Sequence, residues 1–512
     1  MTSLRGALTF LLLFVPGGLG AAAPEPFRIR ILDAESGRGV PLVELRTVHQ
    51  FRFLTDSAGL VAVREPELFG ERVFFHVSSH GYEFPPDGFG IRGAALEVRP
   101  GGEATLKIRR VNLAVRLYRI TGAGIYADSR ILGEPVPISE PLLNARVTGS
   151  DSAMTAIYRG RLYWFWGDTN QLKYPLGNFH ATGATSRLPG DGGLDPARGI
   201  DLEYFVGSDG FARPMAKFPG EGPTWLIGVV TVRDEDGRER LLTGYEKVRG
   251  LEAYERGLAE FDDERQEFRR LEHFSLRLPL YPYGHPFLHT VDGREYLYFA
   301  DPYPFVRVRA TYAALRDLGT YEGFTCLRPG DRADSGTVER DAVGKVVWGW
   351  KRDTAPITWE LQERLLKGKQ LTADEAWLQL TDADRNTPVI AHRGSVSWND
   401  YRRRWIMVTT ELKGSSVLGE VWYSEAGTPE GPWRKAKKIV THDRYSFYNP
   451  LQHPYFAQDG GRVIYFEGTY THAFSGNPDP TPRYDYNQIM YRLDLADSRL
   501  AEVFQDERSP NE

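Results

Sequence analysis

At 512 residues the chain exceeds one comfortable hydrophobic core, so two or more domains are expected. A composition of 41% hydrophobic and 26% charged residues is that of a water-facing globular protein, and a formal charge of −5 provides no basic field to gather nucleic acid or anionic lipid, which excludes those partners. The single cysteine, Cys326, excludes an internal disulfide. The 11 Trp, 26 Tyr and 27 Phe, set among 53 Gly and 33 Pro, favour many short strands joined by turns, a mixture that often accompanies carbohydrate binding.

In chain order, the first segment reads as a secretory signal over residues 1–22: Arg5, an apolar run at 7–15, then the small-residue stretch Gly20-Ala21-Ala22-Ala23 with cleavage expected near Ala22. The apolar run is too short to span a bilayer comfortably, so no membrane span is expected in the mature protein; a retained anchor is the weaker alternative. An exported chain without disulfides fits a bacterial envelope, secreted or periplasmic.

Residues 26–110 alternate apolar and polar positions between turns. Phe27-Arg28-Ile29-Arg30-Ile31-Leu32 is a strand, residues 33–39 are a turn, and a second turn at Thr55-Asp56-Ser57-Ala58-Gly59 leads into the strand Leu60-Val61-Ala62-Val63. This order resembles the carboxypeptidase-regulatory or transthyretin-like β-sandwich, a small module to which no chemistry is assigned. His76, His80 and Glu83 read as a solvated loop rather than a metal site.

Residues 111–500 form the second domain, and 501–512 read as a flexible tail. Leu117-Tyr118-Arg119-Ile120-Thr121-Gly122 is a strand before the first repeat, placed to pair with the strand Gln488-Ile489-Met490-Tyr491-Arg492-Leu493-Asp494-Leu495. Between them a loose repeat recurs five times. The first unit, from Asp151, joins two strands across Arg159-Gly160-Arg161 and ends on Tyr163-Trp164-Phe165-Trp166-Gly167-Asp168-Thr169. The second holds strands near 225–230, 241–246 and 257–262. The third pairs 284–291 with 295–301 across an Asp292-Gly293 turn. The fourth pairs 394–398 with 404–411, and the fifth pairs Gln452-His453-Pro454-Tyr455-Phe456 with 462–467. Five such units predict an all-β fold: a five-bladed β-propeller preceded by a small β-sandwich. A series of ordinary β-sandwiches is the competing arrangement. One short helical insertion, about 358–384, carries the capping box Thr372-Ala373-Asp374-Glu375 and is expected to be a helical pair over one face.

Propeller sites form where inner strands begin. Asp151 opens the first of these strands and Asp168 closes the next. Strand parity leaves open whether the hairpin returns Asp168 to the same surface. Two carboxyls facing a cleft are the minimum for cleaving a glycosidic bond, one protonated to serve the leaving oxygen and one ionised. Glu246, Asp301, Glu411 and Glu467 are other acids at comparable strand ends; taken singly each is more often a surface acid or turn cap, and their recurrence raises the odds. Asp151, Asp168, Glu246 and Glu411 are therefore the catalytic candidates. His285, His392 and His453 recur near strand starts, which suits polar binding or a central ion, with packing beside Pro286 and Pro454 the plainer account. His453 is the metal candidate, with room for a structural or central calcium although no cofactor is required. Arg393 suits a substrate hydroxyl or carboxylate, or an ion pair. Trp166, Tyr245 and Trp398 are candidates for stacking on sugar rings. Phosphate-loop, dinucleotide, HExxH and GxSxG patterns are absent.

Gly149-Ser150-Asp151 with the Tyr163–Thr169 run resembles the "TD…FGDT" opening of a propeller family associated with endo-D-arabinanases. Val421-Trp422-Tyr423-Ser424-Glu425-Ala426 with Thr428-Pro429-Glu430-Gly431-Pro432-Trp433 is similar to a strand and turn shared by five-bladed arabinanase, xylosidase and sialidase-like glycosidases. The resemblance runs from about 117 to 495. It implies a five-bladed propeller acting on a glycan, with Asp151 and Asp168 as the catalytic carboxyls. The chain departs from the pattern with Ser150 in place of Thr, Trp166 in place of Phe, and the helical insertion. The reading is a glycoside hydrolase-like protein with a carbohydrate substrate. Its rivals are a polysaccharide lyase using a His or Tyr with Arg393, and a propeller that binds glycan or protein without catalysis.

Overall fold

The computed structural model describes residues 24–414, 417–481, 483 and 485–503, so the expected signal segment and residues 504–512 of the expected tail lie outside the described residues. Among the described residues, no helix is long and apolar enough to cross a membrane.

The N-terminal segment forms two four-stranded sheets. In one, Phe27–Asp33 pairs antiparallel with Leu60–Val63 and parallel with Glu103–Arg110; in the other, Glu44–Thr47 lies between Arg52–Leu54 and Arg72–Ser78. Strict alternation along Phe27–Asp33 sends Phe27, Ile29 and Ile31 into one core with Val43, Leu45, Val61, Phe75 and Val77. His80 is not in a solvated loop as expected. Its ring packs edge-on against Tyr445 and Tyr470 of the C-terminal part, 4.8 and 5.6 Å between centroids, and burial pushes its imidazole down to about 3.

Five further sheets of four or five strands follow, antiparallel apart from the parallel pairing of Thr381–Asp382 with Lys435–Thr441 in the fourth; their opening edge strands are Met154–Tyr158, Thr224–Arg233, His285–Val291, Ala391–Asn399 and Ser446–Gln452. Each opening strand lies beside that of the next sheet. The fifth sheet packs back onto the first, where Leu451, Val463, Tyr465 and Met490 share a core with Leu162, Trp164 and Trp166. The fifth sheet is completed from the other end of the sequence: Val115–Arg119 pairs antiparallel with Asn487–Asp494. The described chain ends on Val503, which is buried in the same core cluster as Ile489, Tyr491 and Leu493.

The helical insertion is one α-helix, Trp359–Lys367, and a 3-10 turn, Ala373–Glu375, rather than a helical pair. Thr358 caps the helix by accepting from the Leu361 N–H at 3.2 Å, and Leu361 and Leu365 pack on Phe305, Phe324 and Cys326.

Candidate active site

A cavity of about 330 Å³ is lined by Asp151, Asp168, Glu246, Asp301, Trp225, Tyr283, His285, Arg393 and Asn449, with Gly228, Gly284 and Gly394 among its backbone walls. All five large sheets therefore reach it. The opening strands are bent at its rim: pairing registers slip between Ile227 and Val229, between His392 and Gly394, and between Tyr448 and Leu451. The extra residues, Gly228, Arg393 and Asn449, all have positive φ, at 74°, 53° and 51°. A bulge re-aims a side chain, and here two of the three, those of Arg393 and Asn449, belong to the cavity wall.

A small sheet settles the position left open by strand parity. Val147–Ser150 pairs antiparallel with Thr169–Gln171, so Asp151, just after the first, stands beside Asp168, just before the second. The Asp151 N–H donates to the Asp168 carbonyl at 3.1 Å, and the Gly167 N–H donates to the Asp151 carbonyl at 2.8 Å. Gly167 is required at this spot, since a Cβ there would lie 2.2 Å from Asp151 Oδ1. Asp151 Oδ2 accepts from the Tyr448 hydroxyl at 2.7 Å, while Oδ1 of each aspartate is buried without a partner among the described residues.

Burial raises both carboxyls above the ordinary aspartate range, Asp151 to about 7, with the neighbouring Asp168 charge adding to the effect, and Asp168 to about 6, partly offset by the Trp225 indole. The folded protein thus holds protons here that the unfolded chain releases above pH 4. Stability is greatest when both groups are protonated, and it falls as pH rises from about 4 to about 7. Asp151→Asn is expected to melt higher than wild type at pH 8, by roughly 1–3 kcal/mol, and to lose that advantage at pH 4, as read by thermal melts at the two pH values.

Glu246 reaches the same cavity from the second sheet; burial raises its carboxyl, and Arg256 and Arg393 pull it back. Arg393 donates to Asp301 Oδ2 at 2.5 Å and to the Tyr283 hydroxyl, so its charge is already paired. Burial, with the charges of His453 and Arg393 adding to it, lowers His285 to about 4, which leaves a neutral ring at neutral pH.

The structure brings together Asp151, Asp168, Glu246, His285 and Arg393 and separates the remaining expected residues from them. Glu411 is half-buried, accepts from Trp422 Nε1 at 3.0 Å and does not line the cavity. Trp166 is fully buried, stacked on Trp164 at 6.0 Å, and offers no face to a sugar. Tyr245 is the core-facing neighbour of Glu246, buried against Phe218 with its hydroxyl on Glu255, because adjacent strand residues point to opposite faces. Trp398 is 45% exposed but lies in a separate groove with Leu288, His289 and Trp405. His392 does not line the cavity either; its carbonyl accepts from the Thr410 hydroxyl.

His453 does not open the fifth inner strand. That strand is Ser446–Gln452, which ends before Pro454, and Pro454 instead begins a 3-10 turn. Both ring nitrogens of His453 are taken, by Glu467 Oε1 at 2.9 Å and the Tyr455 hydroxyl at 2.8 Å. No group of three or more His, Cys, Asp or Glu suited to a metal occurs among the described residues. These donors do not fit the central ion considered above. Sequence reasoning missed Trp225, Tyr283, Tyr448 and Asn449, and carried Asp301 no further than its place at a strand end.

No protein-family profile and no curated protein sequence matches the chain. Solved structures that resemble it include a Bacteroides ovatus protein, at 13% identity and a TM-score of 0.41, over 68% of this chain and 86% of that one. An exo-β-1,3-galactanase from Phanerochaete chrysosporium aligns at 9% identity and a TM-score of 0.35, over 76% and 65% of the two chains. An exo-1,5-α-L-arabinanase from a bovine ruminal metagenomic library aligns at 10% and 0.34, over 68% and 94%. At such identities they assign no residue of this chain.

Proposed function

We propose that the five sheets are the blades of a five-bladed propeller behind a carboxypeptidase-regulatory-like β-sandwich, and that the central cavity hydrolyses a glycosidic bond. The observation that carries this reading is the cavity itself, where three sheets and a short loop place four carboxyls together and two of them, Asp151 and Asp168, are adjacent and short of water. Neighbouring carboxyls that resist joint ionisation hold one proton between them near neutral pH. Asp151, the more strongly raised, donates that proton to the leaving oxygen. Asp168, ionised beside it, keeps that proton on Asp151 through its own charge, and Glu246, reaching the cavity from the second sheet, takes a proton from the attacking water. Trp225, half-buried in the wall, supplies the apolar face for the sugar, and neutral His285 meets its hydroxyls. The similarity to galactan- and arabinan-cleaving enzymes lies in the same direction, as does export through residues 1–22, which would bring the protein to polysaccharide outside the cytoplasm.

A lyase would need a free cation for a uronic carboxylate, and Arg393 is occupied by Asp301. Incubation with neutral arabinans, galactans and xylans and with uronic-acid polymers tests the reading. Saturated products carrying one oxygen from labelled water are expected. Products absorbing as unsaturated uronates would overturn it in favour of elimination.

A further inference from the structure

Asp151 sits in the short loop between Val147–Ser150 and the opening strand of the first sheet, yet most of what holds this loop comes from the fifth sheet. The Ser150 N–H donates to the Tyr486 carbonyl at 2.9 Å, and Gln488 Nε2 donates to the Ser150 carbonyl at 3.0 Å and to Thr469 Oγ1 at 2.8 Å. The Ser152 N–H donates to the same Thr469 hydroxyl at 2.9 Å, and Asn449 Nδ2 donates to Ser152 Oγ at 2.7 Å. Residues 150–152 are thus clamped on both sides by partners roughly 300 positions later in the chain. The one contact of this seam that reaches the carboxyl itself is Tyr448, whose buried hydroxyl lies 2.7 Å from Asp151 Oδ2.

We propose that Tyr448 is a positioning residue, fixing the direction and the proton affinity of the Asp151 carboxyl from across the seam between the last and first sheets. A phenol has one proton to give. Donated to Oδ2, it stabilises the ionised form of Asp151, opposing burial and the Asp168 charge, and it holds the carboxyl in one orientation. The bulge at Asn449 makes the placement possible by bending the strand at the residue after Tyr448. The groups that face Asp151 and bear on its charge are Asp168 from the paired turn and Tyr448 and Tyr486 from the fifth sheet and the loop before its last long strand, with Glu246, His285, Asp301 and Arg393 around the cavity. Of these only Tyr448 donates a side-chain hydrogen bond to it. Any catalytic consequence rests on the acid role assigned to Asp151 above.

The test is Tyr448→Phe, which keeps the ring and removes the donor. Carboxyl titration by difference infrared, with Asp151→Asn identifying the band, should place the Asp151 midpoint about one pH unit higher than in wild type. The high-pH limb of kcat/KM should move up with it. Gln488→Leu, which removes two seam hydrogen bonds without touching Asp151, should lower Tm and leave the midpoint in place. An unmoved midpoint in Tyr448→Phe, or an equal movement in Gln488→Leu, would overturn the proposal. A midpoint that moves while the kcat/KM limb stays fixed would uphold Tyr448 in this role and remove Asp151 as the acid.

Discussion

Gly167→Ala is expected to lower kcat/KM by about 10²-fold or more while the protein stays folded, because displacing a reacting group by about 1 Å commonly costs that much. Gly167 lies outside the left-handed backbone region, so alanine brings no conformational strain of its own. The whole effect comes from the added methyl, which would sit 2.2 Å from Asp151 Oδ1. The carboxyl cannot simply rotate away, since Tyr448 holds its other oxygen at 2.7 Å. Steady-state kinetics beside a thermal melt checks this. Unchanged kinetics would mean that the orientation of Asp151 is irrelevant to turnover.

Trp166→Ala should act on stability instead, lowering it by about 3–5 kcal/mol, the usual cost of removing a large buried aromatic side chain. Trp166 has no exposed surface and packs between Trp164 and Tyr204, at 6.0 and 5.4 Å, in the core shared by the first and fifth sheets. KM should stay near the wild-type value at temperatures where the variant is folded. Trp225→Ala should do the reverse, raising KM with a smaller loss of stability, because Trp225 lines the cavity and its indole meets Asp168. Denaturant melts and Michaelis curves for the two variants check the contrast, and a large KM effect at Trp166 would contradict the core role given to it.

The two tryptophans also show what was legible in the sequence. The hairpin of Met154–Tyr158 and Arg161–Trp166 is visible from alternation and from its Arg159-Gly160 turn, whose φ values of 50° and 74° suit such a tight connection. The pairing of Val115–Arg119 with Asn487–Asp494 is legible too, because a strand precedes the first repeat and a strong strand closes the last, leaving one edge for the other to fill. Strand parity places Trp166 and Asp168 on one face. The strand ends at Trp166, however, and the chain turns at Gly167, so the tryptophan enters the core while the aspartate joins the cavity. Local pattern carries no information about that turn.

The same limit explains the remaining site residues. Arg393 and Asn449 reach the cavity through bulges, where one extra residue shifts the pleat, and neither position has the glycine that reveals the bulge at Gly228. Tyr448 acts on Asp151 across 297 positions, a contact set by how the last sheet meets the first. His453 reads as the start of an inner strand because of the apolar residues after it, and Pro454 ends that possibility. Types of residue were readable, and so were strand pairs. Which side chains meet depended on the bulges and on the seam.

The central claim is that Asp151 supplies the proton for glycosidic cleavage. It is tested most directly by release of reducing ends from a panel of neutral polysaccharides, comparing wild type with Asp151→Asn, both shown folded by thermal melts. The account predicts activity of the wild type on at least one of them and a loss of about 10³-fold in the variant, within the range that general acid–base groups contribute. An Asp151→Asn protein that cleaves as fast as wild type would contradict it.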